Sequence, residues 1–155
     1  MSYHSTSEGW GCAKNPYKHD RSVGGSSGGE AGLLAANLTP FGIGSDLMGS
    51  LRMPAAFCGI NGYLPTASRL SVSNAIDAPT PSGSMFCEIM RGSFGPMTKN
   101  VDDLIYLYKC LFSETAFEQD LTLPRIPFNQ NMFEEALKSK SLKIGILRNT
   151  HERFS

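Results

Sequence analysis

The sequence contains the run Gly24-Gly-Ser-Ser-Gly-Gly-Glu30, in which four glycines flank two serines just ahead of a mostly apolar stretch. The continuation from Glu30 to Ala36 predicts a short helix, and Glu30 in its first turn complements the helix dipole. Flexible linkers use the same residue types, but this run leads directly into an apolar helix. We therefore interpret it as a shaped turn, in which glycines let the backbone approach a substrate closely.

Neighbouring residues decide which chemistry such a glycine-rich turn serves. A phosphate loop would continue with Gly-Lys and then Ser or Thr, and a dinucleotide turn would show GxGxxG after a strand. Neither pattern is present, which argues against nucleotide binding. Ser26 and Ser50 each lie beside glycines, and a hydroxyl next to backbone N–H donors suits acyl transfer. A Ser-His-Asp arrangement has little support, because neither serine lies in GxSxG and His4, His19 and His151 lie in polar terminal stretches typical of surface histidines.

Composition argues against several classes of partner and location. The 155 residues include 14 basic and 14 acidic ones, so there is no long-range positive field and nucleic acid is not expected as a partner. The four cysteines lack metal-binding or redox spacing, which predicts reduced, partly buried thiols of an intracellular protein. Residues 1–11 do not resemble a secretory signal, and no run approaches the ~20 apolar residues of a membrane span. The sequon Asn37-Leu-Thr39 is interpreted as a helix-end turn.

The remaining pattern favours an α/β or α+β arrangement. Residues 1–23 show neither a helical nor a strand period, so an irregular stretch that packs against something else is expected there. Ile60–Leu70 is expected to be mainly loop, and Leu70–Met85 an exposed connection. The predicted elements are a strand at Phe41–Asp46, a helical turn at Pro54–Cys58, an amphipathic helix at Asn100–Phe112, a short helix at Phe133–Lys138 and a strand at Leu142–Leu147.

Two stretches together resemble the amidase signature in their order and spacing. They are Gly24-Gly-Ser-Ser-Gly-Gly-Glu30 and Gly42-Ile-Gly-Ser-Asp-Leu-Met-Gly-Ser-Leu-Arg-Met-Pro-Ala-Ala-Phe-Cys-Gly59. Their serines, Ser26 and Ser50, stand 24 positions apart, as the family requires. Further similarity runs through Gly62–Thr66, Gly95–Leu104 and Leu142–Ile146, so the resemblance covers nearly the whole chain. Glu30, Ser50–Pro54 and Pro124–Phe128 resemble the animal fatty acid amide hydrolases more than the transamidosome subunits.

The resemblance implies a fold and a pair of reacting serines. The expected fold is α/β, the central part of an amidase-signature catalytic domain over residues 24–155, with a mixed sheet flanked by helices and truncated at both ends. Ser50 would be the acyl-accepting nucleophile. Ser26, following a cis peptide bond, would relay a proton between Ser50 and a neutral lysine.

The resemblance also implies a set of supporting groups. Backbone N–H groups of four consecutive residues would form the oxyanion hole: Leu47, Met48, Gly49 and Ser50. Three further residues match supporting positions, for which a purely structural role is at least as consistent: Ser27, Asp46 and Arg52. No metal and no cofactor are implied.

Two features depart from the family pattern. The family's catalytic lysine lies upstream of the Gly-Ser run on an apolar element, where desolvation lowers a lysine pKa toward neutrality. Lys14 and Lys18 have polar surroundings that do not match, so the role is transferred to neither. Met48 stands where the family usually has glycine, and strain is expected there if its φ is positive.

The resulting hypothesis is a fragment of a fatty-acid-amide-type hydrolase whose parent forms an acyl-enzyme on Ser50 with a fatty acid amide or another small amide. The chain alone is expected to be inactive because it lacks the lysine. Two alternatives stay open, a non-catalytic binding remnant of the fold and a transamidosome-type amidotransferase subunit. An intracellular location is expected, with membrane association of the full-length parent and the oligomeric state left open.

Overall fold

The N-terminal part of the protein consists of two antiparallel hairpins. The computed structural model describes residues 3–71, 92–139, 141 and 143–146. Strand β1 (Thr6–Ser7) pairs with β2 (Gly11–Cys12), and β3 (Lys14–Asn15) pairs with β4 (Lys18–Ser22). The prediction of an irregular stretch over residues 1–23 is therefore wrong for residues 6–22. The strands are too short and too polar to show the alternation that reveals a strand in sequence.

Contacts to the core hold the second hairpin in place. The Asn15 side-chain amide donates to the Phe57 carbonyl at 2.8 Å. Lys99 Nζ donates to the Tyr17 hydroxyl at 3.1 Å and to the Ala35 carbonyl at 3.3 Å. These bonds span many residues in sequence, so the hairpin forms as part of the tertiary structure.

Helix α1 (Gly28–Ala35) follows the Gly-Ser run, as predicted. The cap residue Ala36 follows it, and the next residue, Asn37, has a left-handed φ of 59°. The Asn37 N–H donates to the Leu34 carbonyl at 3.0 Å and the Leu38 N–H to the Leu33 carbonyl at 2.9 Å. These two bonds define a Schellman motif, which confirms that the Asn37 sequon lies in a helix-end turn.

The main sheet has three antiparallel strands. Strand β5 (Phe41–Asp46) has the predicted bounds, and helix α2 (Arg52–Cys58), β6 (Asn61–Gly62) and β7 (Ser93–Thr98) follow. The strand order is β5-β7-β6. The sequence did not predict β7, because Gly95 and Pro96 indicate a turn.

Pro96 is compatible with the central strand because of its place in the ladder. Its carbonyl accepts the Tyr63 N–H at 3.0 Å. Proline has no N–H to return a second bond, and the pairing of β7 with β6 stops at Gly62. Pro96 therefore limits the pairing of β7 with β6, whereas the six-residue pairing of β7 with β5 is complete.

Helix α2 begins two residues before the predicted position. Pro54 is its third residue, where the backbone N–H would have no intrahelical acceptor. Proline is therefore tolerated there as well as at the first position. Helices α1 and α2 pack with β7 around one apolar cluster, whose buried members are Val23, Ala31, Leu34, Ala35, Leu51, Ala55, Cys58, Ile60 and Met97.

The described residues from 101 to 139 contain three helices: α3 (Val101–Leu111), α4 (Glu114–Gln119) and α5 (Gln130–Lys138). Helices α3 and α5 confirm the two predicted helices, and α4 was not predicted. The Asn100 side chain caps α3 by accepting the Asp103 N–H at 2.7 Å. In the described part of the chain, no helix has the length and apolar character needed to cross a membrane.

The region after α5 differs from its prediction. Residues 143–146 form no strand, and Ile144 and Ile146 are exposed, so the strand predicted at Leu142–Leu147 is wrong over these positions. The alternation of apolar and polar residues does not suffice to form a strand here, because none of the described strands pairs with these residues. The connection predicted at Leu70–Met85 lies outside the described residues after Ser71.

Candidate active site

Ser27 joins the two serine-bearing turns. Its N–H donates to the Ser50 carbonyl at 3.0 Å. Its Oγ accepts the Ser45 N–H at 3.1 Å and donates to the Ser45 carbonyl at 3.2 Å. Because Ser26 directly precedes Ser27, these bonds hold the Gly-Ser turn against the end of β5 and beside Ser50.

The two predicted reacting serines differ in exposure. Ser50 is 9% exposed, whereas Ser26 is exposed. The peptide bond between Gly25 and Ser26 is cis, the geometry that the resemblance implies for a bridging serine. The backbone thus brings together two hydroxyl-bearing segments that are distant in sequence.

Asp46 organises the turn that carries Ser50. Its carboxylate accepts backbone N–H bonds from Gly49 at 2.7 Å, Leu51 at 3.1 Å and Arg52 at 3.1 Å. The Arg52 guanidinium adds bonds from Nε at 3.0 Å and Nη2 at 3.1 Å. Ser50 lies between these anchored residues, so one buried carboxylate fixes the path of the backbone on both sides of it.

The electrostatics of Asp46 follow from these bonds. Burial alone would raise the pKa of the carboxyl, but the bonds from Arg52 and from the three backbone N–H groups outweigh it and lower the pKa to about 2. Asp46 is therefore ionised at neutral pH, and its charge is neutralised locally. Asp46 and Arg52 act on the shape of the turn, which accords with a supporting role.

The predicted oxyanion hole needs one refinement. The Gly49 N–H already donates to Asp46, so the structure directs it toward that carboxylate. Gly49 has a φ of 114°, whereas Met48 is not among the described residues with positive φ. Position 48 consequently does not require glycine, and the backbone strain expected for Met48 is absent.

The N-terminal hairpin contributes residues that the sequence did not single out. One open depression is lined by Ser26 and Gly29 on one side and by residues of the first hairpin on the other, among them His4 and Trp10. Neither Lys14 nor Lys18 lines it, and Lys18 instead pairs with Asp20 at 3.7 Å on the surface. No local pattern could have placed His4 and Ser26 in the lining of one depression, because that depends on how the hairpin docks.

The three described cysteines, Cys12, Cys58 and Cys110, are not part of this arrangement. Cys58 is buried, and burial raises its pKa, which disfavours the reactive thiolate. Cys12 and Cys110 are exposed. The prediction of partly buried thiols therefore holds only for Cys58 among the described cysteines.

Comparison with known proteins agrees with this geometry. A family model described as amidase matches residues 1–155. The chain belongs to the amidase signature family. It is similar to fatty-acid amide hydrolase 1 from Sus scrofa, with 38% identity over 146 residues that cover 94% of this chain and 24% of that protein.

Two further matches are a second curated protein and a solved structure. A glutamyl-tRNA(Gln) amidotransferase subunit from Legionella pneumophila strain Corby is 41% identical over 102 residues, which cover 66% of this chain and 19% of that protein. A solved structure of fatty acid amide hydrolase matches with a TM-score of 0.69 and 33% identity, over 84% of this chain and 22% of that one. The predicted amidase-signature fold is therefore confirmed. The chain spans about a fifth to a quarter of the length of these relatives.

Proposed function

We propose that this chain carries the acyl-transfer part of an amide hydrolase active site and is a fragment of a longer enzyme. Ser50 is the nucleophile, and Ser26 relays its proton. The observation that most directly supports this proposal is the hydrogen bond from the Ser27 N–H to the Ser50 carbonyl, which holds the two turns together. The substrate is a fatty acid amide or another small amide, consistent with the similarity to fatty-acid amide hydrolase 1.

The reaction forms one bond and breaks one bond in each half. Ser50 Oγ bonds to the acyl carbon, its proton passes through Ser26 toward the departing nitrogen, and the C–N bond breaks to release an amine. Water then attacks the acyl-enzyme, and Ser50 recovers its proton as the carboxylic acid leaves. No electron transfer is involved.

The surrounding charges suit this chemistry. A developing oxyanion is stabilised by backbone donors that are fixed in advance, and we assign this role to the N–H groups of Leu47, Met48 and Ser50. Gly49 serves instead to hold the turn through Asp46. Because Arg52 neutralises Asp46, the nearby carboxylate does not oppose the negative charge of the transition state.

The chain by itself is expected not to turn over amides. Amide hydrolysis requires a base that also protonates the leaving amine, and neither Lys14 nor Lys18 lines the depression beside Ser26. An assay of the purified chain with a long-chain primary amide should show no product above buffer. Turnover that Ser50→Ala abolishes would contradict this expectation.

A fluorophosphonate probe separates the hydrolase proposal from a non-catalytic binding remnant. Such a probe forms a covalent bond only with an activated hydroxyl, so peptide mapping should place the adduct on Ser50. The adduct should disappear in Ser50→Ala and persist in Ser113→Ala, a serine at the start of α4. A chain that binds a fatty acid amide but shows no Ser50 adduct would be a binding remnant.

An amidotransferase subunit is the second candidate, supported by the 41% identity to the Legionella protein. That activity would require an ammonia-delivering partner and tRNA, and the zero formal net charge offers no basic field for RNA. Hydrolysis of the amide to free acid, in a lengthened form of the chain, would favour the hydrolase. Formation of a new amide from added ammonia would favour the amidotransferase.

A further inference from the structure

Ser27 and Glu30 have the sequence spacing of a capping box but not its bonds. They occupy the N-cap and the third position of α1, where the serine hydroxyl and the carboxylate would each accept the backbone N–H of the other residue. Between these two described residues neither bond forms. Ser27 makes no side-chain capping bond, and its N–H donates to the Ser50 carbonyl at 3.0 Å. Both side chains are therefore available for contacts outside α1.

Both side chains instead bond the outer edge of β5. Among the described strands, β5 pairs with β7 alone, which leaves its second edge without a strand partner in this part of the chain. On that edge Ser27 Oγ accepts the Ser45 N–H at 3.1 Å, and Glu30 Oε1 accepts the Ile43 N–H at 3.3 Å. Alternate residues of an antiparallel strand direct their N–H groups to the same edge. Two side chains from one helical turn therefore take the place that a neighbouring strand would fill.

The backbone of β5 leaves room for the Glu30 carboxylate. A Cβ atom added at Gly42 would collide with Oε1 and Cγ of Glu30, so the half-buried side chain lies directly against the strand. Gly28 and Gly29, the first two residues of α1, have no side chains. Glu30 is therefore the first residue of the helix that can reach β5 with a side chain.

The bonds of Ser27 and Glu30 constrain α1 in different ways. All bonds of Ser27 start from one residue, about which the helix could still pivot. Glu30 lies almost one turn further on, roughly 4.5 Å along the helix axis. The N–H that it binds lies roughly 7 Å along the strand from the N–H of Ser45. A second attachment at this separation removes the pivot, and with it the freedom of the turn that carries Ser26.

We propose that Glu30 is a positioning residue for the Ser26–Ser50 pair. It fixes the direction in which α1 leaves the Gly-Ser turn, and thereby the orientation of Ser26 relative to Ser50. This inference rests on the proposed function of the two serines, and Glu30 acts on the reaction only through Ser26. The carboxylate also complements the helix dipole, but that effect depends on its charge, whereas positioning depends on the reach of its oxygen.

Two conservative substitutions separate charge from reach, and the readout is the rate at which a fluorophosphonate forms an adduct on Ser50 of the full chain. Glu30→Gln removes the charge but keeps an oxygen at the same reach, so the rate should be retained. Glu30→Asp keeps the charge but shortens the side chain by one methylene. It should slow labelling by roughly 2- to 10-fold, the factor that one hydrogen bond represents. Slow labelling of Glu30→Gln with a natural rate in Glu30→Asp would overturn the positioning role.

Gly42→Ala tests the same contact from the strand. The added methyl group occupies the space of the carboxylate, so it should slow labelling about as much as Glu30→Ala does. The double variant should be no slower than the slower single variant, because one contact is lost in all three. Slowing that multiplies in the double variant would overturn the inference.

The matched control is Asp102→Ala, an exposed acidic residue in the first turn of α3. It removes a charge near a helix start and should leave the labelling rate unchanged. Circular dichroism shows whether each variant is folded, and Glu30→Gln with Glu30→Asp suffice for the test if Glu30→Ala does not fold. Slowing in Asp102→Ala equal to that in Glu30→Ala would overturn the positioning role.

A second readout measures geometry without any reaction of Ser50. Ser26→Cys and Ser50→Cys are combined and equilibrated with glutathione, and the ratio of disulfide to dithiol reports how well the two positions are held together. The background chain has three cysteines replaced by Ser: Cys12, Cys87 and Cys110. Adding Glu30→Asp should lower the ratio by roughly 2- to 10-fold, and adding Glu30→Gln should leave it unchanged.

The two readouts separate the two proposals. A disulfide ratio that Glu30→Asp does not change would overturn the role of Glu30 and leave the proposed function standing. Absence of a Ser50 adduct in every form, with a ratio that falls in Glu30→Asp, would overturn the proposed function and uphold the positioning of the two serine-bearing turns by Glu30.

Discussion

The turn that carries Ser50 and the C-terminal helices are held together by different forces. Around Ser50 the contacts are hydrogen bonds from backbone N–H groups and from Arg52 to one carboxylate, whose side chain is fully buried. In the C-terminal part, α4 contributes Phe117 to a buried apolar cluster with Phe112 and Leu123, whereas α3 and α5 are joined by contacts between rings and a cation. Lys109 Nζ lies 5.1 Å from the ring centroids of both Phe128 and Phe133, and helices α3 and α5 have no fully buried residue.

This contrast indicates which part of the chain has the more rigid geometry. Buried backbone donors that share one acceptor allow little freedom, because any loss leaves several groups without a partner. Ring and cation contacts on a half-exposed surface tolerate adjustment. The turn around Ser50 should therefore respond sharply to substitution, and the surface between α3 and α5 weakly.

The largest expected effect is that of Asp46→Ala. The change removes the acceptor of three backbone N–H groups and the counter-ion of Arg52, and we expect the free energy of unfolding to fall by about 3 kcal/mol. Urea unfolding followed by circular dichroism measures it.

The matched control for Asp46 is Asp103→Ala, an exposed acidic residue in the first turn of α3. Its loss should cost about 0.5 kcal/mol, the scale of a surface charge near a helix start. Equal losses at the two positions would remove the contrast between the regions.

Acid should weaken the turn through the same carboxylate. The pKa of Asp46 is lowered from 3.8 to about 2 in the folded chain, so the stabilisation is complete above about pH 4 and is lost as pH falls toward 2. The linked contribution is about 2 kcal/mol. Unfolding curves between pH 5 and pH 2 measure it, and Asp46→Asn should remove this part of the pH dependence. A variant with the same acid slope as the natural chain would contradict the assignment.

Gly49→Ala tests the backbone of the turn. Gly49 has a φ of 114°, and a Cβ there would lie 3.3 Å from Met53 Sδ. We expect a loss of about 1 to 2 kcal/mol, because L-residues rarely adopt this conformation. Met48→Ala is the control next to it, and its exposed side chain predicts a change near zero. A stable Gly49→Ala would show that the positive φ is not required.

The smallest expected effect belongs to the C-terminal region. Lys109→Ala removes the cation between Phe128 and Phe133 and should cost about 0.5 to 1 kcal/mol. Leu137→Ala, on the exposed side of α5, should cost less still. Thermal unfolding of both variants measures the difference. A loss at Lys109 as large as that at Asp46 would mean that the helices are held as firmly as the turn.

Sequence reasoning succeeded where local chemistry decides the structure. The Gly-Ser run and the alternating Phe41–Asp46 stretch gave α1 and β5, and Asn100 with the apolar spacing after it gave α3. Motif spacing also singled out Ser26, Ser27, Ser50, Asp46 and Arg52, which the structure brings into one region.

Tertiary contacts decided what the sequence missed. The hairpins at residues 6–22 are polar and short, and they form because Asn15 and Ser5 bond to the core. Strand β7 contains a proline, which this central strand accommodates because its pairing with β6 stops at Gly62. The bond from the Gly49 N–H to Asp46, and the depression that the first hairpin forms with Ser26, likewise depend on the folded backbone, and no residue pattern predicts them.

The central claim is that the backbone places Ser26 and Ser50 side by side, and a cross-link tests it most directly. One peptide link separates Ser26 from the N–H that bonds the Ser50 carbonyl, so cysteines at both positions should be close enough to pair. In a chain with Cys12, Cys87 and Cys110 replaced by Ser, we expect Ser26→Cys with Ser50→Cys to form an intramolecular disulfide under mild oxidation, identified by peptide mass. Two thiols that stay free in the folded, oxidised protein would contradict the account.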